Sequence, residues 1–189
     1  MQYSYPDRNL IFTGYTGPSQ PLVGQQIADR LKMRYVNVDT LLESRGDMDV
    51  EAMQSRYGET RLKMLENEVM QDVMLYRGAV IRVSGQTLLR TETTPRLLET
   101  GVIICVVVAL DDVLRRLHLS LGGRYHNPSE RALAIGHLKR EWAVRKVPGV
   151  HELKVTDMNE AETITAVCAM WEQYASGLPV PATNGKAPS

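Results

Sequence analysis

A chain of 189 residues, 43% of them apolar and with no net charge, is long enough for one domain with a sizeable core. The balanced charge gives no electrostatic footing for a nucleic-acid or anionic-membrane surface. Cys105 and Cys168 each lie in apolar or helical runs and no Cys/His cluster has zinc spacing, so two buried thiols are expected and no metal ligands.

In chain order, residues 1–8 form a lead-in without the basic-then-apolar pattern of a signal segment. No apolar run reaches the roughly 18 residues of a membrane span, so the expected location is the cytoplasm, with neither nucleic acid nor membrane as partner. Asn9 to Thr13 reads as a strand, and from Leu22 the apolar Val23, Ile27 and Leu31 fall at helical spacing. Between them lie Gly14 to Pro21. A phosphate-binding loop would read G-x-x-x-x-G-K followed by Ser or Thr, because backbone N–H groups cradle phosphates, the lysine meets their charge and the hydroxyl holds magnesium. Gly14 keeps the first glycine and Gly17 lies inside the loop, but Ser19 stands at the second glycine, Gln20 at the lysine and Pro21 at the hydroxyl. Gln20 has no positive charge, and Pro21 has neither hydroxyl nor N–H, although it suits a first helical turn. Taken alone, the stretch reads as a turn between a strand and a helix.

Arg34 to Asp39 then reads as a second strand, Thr40 to Arg45 as a short helix stopped by Gly46, and Asp49 as a cap for the next piece. A long helix is expected from Glu59 to Tyr76, with Leu62, Leu65, Val69 and Val73 on one face. Ala79 to Val83 makes a third strand ending at Ser84-Gly85-Gln86, and Thr94-Pro95 opens another helix. Val102 to Ala109, VIICVVVA, is the run expected of a strand buried on both faces of a parallel sheet. Asp111-Asp112 caps a further helix, Gly122 to Pro128 breaks the chain, and a helix runs from about Ser129 to Val147. A short strand from Leu153 to Thr156 and a helix from Glu160 to Tyr174 complete one domain over residues 1–176, with 177–189 expected as a disordered tail. Strands alternating with helices predict an α/β three-layer sandwich around a five-stranded parallel sheet, with ligands beyond the carboxyl ends of the strands.

The order of these pieces resembles the shikimate kinase family of P-loop, nucleoside-monophosphate-kinase-like enzymes. The helix VGQQIADRL is similar to that family's I-G-x-x-L-A-x-x-L, and YVNVDTLLESRGDMDV to its F-x-D-x-D-x-x-I-E-x-x-x-G-x-x-I. Gly58-Glu59 and Glu66 match its G-E-x-x-F-R-x-x-E, with Lys63 at the arginine. Ser84-Gly85-Gln86 falls on its G-G-G, Arg124 near its lid arginine, and Lys146-Val147-Pro148 on R-x-P.

The resemblance implies that Asp39 contacts substrate hydroxyls and is the candidate base. It implies that Gly85, Lys63 and Lys146 also meet the substrate, the two lysines keeping charge but losing the bidentate fork of arginine. Gly14, Gly17, Ser19, Gln20 and Arg124 fall on the nucleotide side, and Asn37 replaces an aspartate that helps hold the metal. ATP and magnesium are then expected only where this altered loop still binds them. A single electrostatic group of this kind is worth about two to three orders of magnitude in rate. Three readings follow. A shikimate-kinase-like protein that has lost phosphoryl transfer would bind a small hydroxylated carboxylate or a partner; an active small-molecule kinase would use an atypical phosphate loop; a non-catalytic module would bind another protein. Arg82, Arg90 and Arg124 are the cations available to replace the lysine, and spacing selects none of them. Lys63 and Glu66 otherwise read as a solvated pair, Lys146 as part of a charged helix face, and Asp39 as a helix cap. No histidine has catalytic spacing.

Overall fold

The computed structural model describes residues 7–14, 20–122 and 126–177. Gly17, Ser19, Arg124 and the tail beyond residue 177 lie outside them, as do the side chains of Gln20 and Pro21. Strand β1 (Asn9–Gly14) leads to helix α1 (Gln20–Leu31), β2 (Arg34–Asn37), α2 (Val38–Gly46) and α3 (Val50–Val73). Then come β3 (Ala79–Arg82), α4 (Gly85–Thr91), α5 (Thr94–Thr100), β4 (Gly101–Val107) and α6 (Leu110–Leu121). Helix α7 (Pro128–Ala143), a 3-10 turn over Val144–Lys146, β5 (Val150–Lys154) and α8 (Glu160–Ala175) follow.

The sheet has five strands in the order β2-β3-β1-β4-β5, every pair parallel. Each residue of β1 and β4 is buried, so both faces of the central strands are covered, as the apolar run at Val102 requires. Helices α1 and α8 pack together, α1 against β3 and α8 against β4, while α4 lies against α3 and α7. Both cysteines are free and buried, and burial pushes the Cys105 thiol up to about 12. No helix among the described residues is long and apolar enough to cross a membrane.

Several expected boundaries move for identifiable reasons. Asn37 ends β2 and caps α2, its Oδ1 accepting the Asp39 N–H, so Asp39 is not the cap but lies inside the first turn. Helix α3 begins at Val50 because Asp49 caps it, and it continues through a break at Gly58, whose φ of 78° and ψ of 170° depart from the helix. Ser84 caps a helix that the sequence presents as loop; its Oγ accepts the Thr87 N–H at 3.0 Å. Helix α6 has no side-chain cap, and Asp111 and Asp112 fall in its first turn, where carboxylates meet the helix dipole. Glu66, expected in solvent beside Lys63, is fully buried, because the α3 stripe that packs on the core passes through it.

Candidate active site

The carboxyl ends of β1, β2 and β3 lie side by side and gather most of the residues that matter. Gly14 closes β1 with φ 94°, and a Cβ there would stand 2.1 Å from the Val106 carbonyl oxygen. No other residue type fits that crossing. One strand over, Arg82 ends β3 opposite Asn37 of β2. Its guanidinium forms an ion pair with Asp39 and stands 3.5 Å from Asn37 Oδ1. The Arg82 side chain is only 14% exposed, and its Nε is buried without a hydrogen-bond partner. Tyr35 lies close by: burial pushes its phenol up, the charge of Arg82 opposes this, and that of Asp39 adds to it.

Asp39 lines a cleft of about 530 Å³, walled by the start of α3 and by Ser84, Gln86 and Glu141. Glu141 reaches in from α7 and accepts the Gly85 N–H at 2.7 Å and the Gln86 side-chain amide at 3.1 Å. Burial pushes the Glu141 carboxyl up, partly offset by those two hydrogen bonds and by the charge of Arg82. Behind this wall, Arg90 donates from Nε and Nη2 to the two Glu66 oxygens at 2.9 and 2.6 Å, and the Thr87 hydroxyl donates to the same carboxylate at 2.8 Å. Desolvation opposes the Arg90 charge, yet the bond and charge of Glu66 outweigh it and hold Arg90 above its ordinary value.

A second cleft, about 710 Å³, opens at the ends of β4 and β5 and is lined by Lys139, Trp142, Arg145 and Lys154. Trp142 is buried, with no partner for its indole N–H. The ledge beneath is fixed by the Ala109 N–H, which donates to Thr156 Oγ1 at 2.9 Å.

Of the residues expected from sequence, Asp39 lines the first cleft together with Ser84 and Gln86, whereas Gly85 between them is buried against α7 at the start of α4 and is not in the lining; Gly14 closes the strand beside them. Lys63 on α3 and Lys146 in the 3-10 turn are both exposed, and neither lines that cleft. Gly17, Ser19 and Arg124 fall outside the described residues, and of Gln20 only its place at the start of α1 is described. Sequence reasoning missed Glu141, which sits among Lys139, Arg140 and Arg145 and reads there as solvated charge. It also missed the Glu66–Arg90 pair, whose members lie 24 positions apart.

The parallel order β2-β3-β1-β4-β5, with β1 ending on a glycine and α1 the next element in the chain, matches the P-loop NTPase fold of the solved shikimate kinases. The family model described as shikimate kinase matches residues 21–167, and the chain belongs to that family. It is 28% identical over 127 residues to a shikimate kinase of Thermodesulfovibrio yellowstonii, covering 66% of this chain and 73% of the relative. With a shikimate kinase of Geobacter sulfurreducens it is 29% identical over 110 residues, 58% of this chain and 61% of that protein. The chain thus matches about three fifths of that second relative's length. Among solved structures, shikimate kinase from Bacteroides thetaiotaomicron superposes with a TM-score of 0.68 at 17% identity, over 88% of this chain and 97% of the other, a likeness of fold.

Proposed function

We propose that the protein is a small-molecule kinase that moves a phosphoryl group from a nucleoside triphosphate to a hydroxyl held in the Asp39 cleft. The observation that carries this reading is the placement of the Asp39 carboxylate at the end of β2, facing a cleft of about 530 Å³, in a chain of the shikimate kinase family. In the proposed reaction the acceptor oxygen bonds to the terminal phosphorus as its bond to the bridging oxygen breaks. The nucleoside diphosphate leaves with the bridging oxygen, and the hydroxyl proton passes to Asp39 and on to water. Arg82 holds Asp39 in one orientation and so acts as a positioning residue. The amino end of α1 offers its dipole and free N–H groups to phosphate, except at Pro21.

The described residues do not fit a protein-held magnesium ion. Asn37 Oδ1 is engaged by the Asp39 N–H and faces Arg82, the Asp39 carboxylate faces the same guanidinium, and no three His, Cys, Asp or Glu residues among those described converge on one point. The Arg82–Asp39 pair and the uncharged Gln20 favour a second reading, in which the cleft binds its ligand without transfer. The test is ADP formation from MgATP with shikimate and with neutral polyols, run alongside thermal unfolding with the same compounds. Turnover that falls about 10²- to 10⁴-fold in Asp39→Asn supports the kinase. Ligand-induced stabilisation with no ADP formed from any compound supports binding alone.

A further inference from the structure

The cleft at the ends of β4 and β5 takes no part in the proposed phosphoryl transfer, yet its lining is unbalanced in charge. Lys139 of α7, Arg145 of the 3-10 turn and Lys154 of β5 stand against one carboxylate, Glu152. Arg145 Nε lies 4.0 Å from Glu152 Oε2, the outer limit of an ion pair, with the two side chains 37% and 32% exposed. A contact of that kind commits neither group strongly. Lys139 and Lys154 form no ion pair with any described residue.

Two neutral donors in the same lining also lack acceptors. Trp142 is 7% exposed, and its indole N–H is buried with no hydrogen-bond partner. Buried donors are ordinarily bonded, so the missing acceptor calls for a source outside the fold. Thr156 Oγ1 accepts the Ala109 N–H at 2.9 Å, and its own proton has no acceptor among the described residues. The floor is held in place, since the Val155 N–H donates to the Val107 carbonyl at 2.9 Å and so carries the β4–β5 pairing past the strand ends. His151 stacks on Tyr174 of α8 with ring centroids 3.5 Å apart. Neighbouring strand residues point to opposite faces, so Glu152 and Lys154 point away from α8 and from the α1 packed beside it. The cleft therefore lies on the other face of the sheet from α1, the helix whose amino end the kinase reading gives to nucleotide phosphate.

We infer that this cleft is a second ligand site, for a compact small molecule that carries both a phosphate and a carboxylate. Its donors outnumber its acceptors, so the occupant supplies oxygens rather than N–H groups. Three cations drawn from three separate elements suit two anionic groups on one skeleton better than a single one. A volume of about 710 Å³ is in the range of small-molecule sites. The site does not rest on the kinase reading, because none of its residues lines the Asp39 cleft.

The experiment is calorimetry on the full chain with glycerol, glycerol 3-phosphate and 3-phosphoglycerate, which put zero, one and two anionic groups on three carbons. 3-Phosphoglycerate is expected to bind about tenfold more tightly than glycerol 3-phosphate, with no binding of glycerol. Lys154→Ala, exposed on β5, should weaken 3-phosphoglycerate about tenfold, and Trp142→Phe, which removes the indole donor, about fivefold. Arg96→Ala, exposed on α5 and outside the lining, and Asp39→Asn in the other cleft should leave it unchanged. Equal binding of the three compounds, or none in the tens of millimolar, overturns the inference. So does a loss in Arg96→Ala as large as in Lys154→Ala, which marks diffuse attraction to surface charge, or a loss confined to Asp39→Asn, which puts the anion in the first cleft. Adenosine, the uncharged part of a nucleotide, should not displace 3-phosphoglycerate; displacement makes the cleft an arm of the nucleotide site and sinks the inference.

Discussion

Glu66 and Arg90 meet through two parallel hydrogen bonds with the carboxylate wholly out of water, whereas Asp39 and Arg82 meet through one guanidinium nitrogen with Asp39 31% exposed at the cleft. The first pair is closed. Thr87 takes up a further lone pair of Glu66, so nothing remains for a ligand to complete. The second is left open, since Arg82 Nε is buried without a partner and the Asp39 carboxylate faces space. Two pairs of the same chemistry, each lending one member to the lining of one cleft, therefore divide into a structural strut and a functional contact. Solvent access and hydrogen-bond count separate them, not residue type.

That division predicts unequal consequences. Removing one member of a buried, fully bonded pair leaves an uncompensated charge, so Glu66→Ala should lower the unfolding free energy by about 3–5 kcal/mol, read from urea titration. Arg82→Gln, in the more open pair, should cost about 1 kcal/mol in the same titration while altering ligand binding in the cleft. A loss equal to that of Glu66→Ala would show both pairs to be struts. The smallest effect concerns Glu141, whose carboxyl burial pushes above its ordinary value of 4.5. A raised carboxyl value means that the folded state favours the proton, so the stability associated with it is present at low pH and lost as pH rises through the folded value. The stability of Glu141→Gln relative to wild type should accordingly move in the variant's favour between about pH 4 and pH 7, as followed by thermal unfolding across that range. A flat difference would mean that Gly85 and Gln86 fully compensate the ionised form.

The sequence made the frame legible because the frame depends on local rules. A valine- and isoleucine-rich run could only be a strand covered on both faces, whereas Gly14 reads as a loop glycine and the close crossing with Val106 that requires it comes only from the structure. The Asn37-x-Asp39 spacing likewise located one wall of the cleft, although its capping roles were assigned to the wrong residue. What sequence did not disclose are partnerships across the chain. Arg82 and Asp39 are 43 positions apart, and Glu141 and Gly85 are 56 apart. No periodicity encodes such a meeting. Glu66 was misjudged because its apolar neighbours define a helix face without saying that a charged residue on that face has a guanidinium waiting for it. Helix α4 was missed because Gly85 reads as a turn residue, whereas its lack of a side chain serves a contact with α7.

That contact has a further consequence for how the protein can change. A Cβ on Gly85 would stand 2.1 Å from the backbone oxygen of Glu141, so the start of α4 and the last turn of α7 touch backbone to backbone. The same stretch of α7 sends His137 and Glu141 to the Asp39 cleft and Lys139 and Trp142 to the cleft at the ends of β4 and β5. A rod pinned near one end and shared by two chambers cannot be retuned for one without disturbing the other. Substitutions along it should be epistatic: a change that suits a new ligand on one side will be tolerated or refused according to which residues already stand on the other.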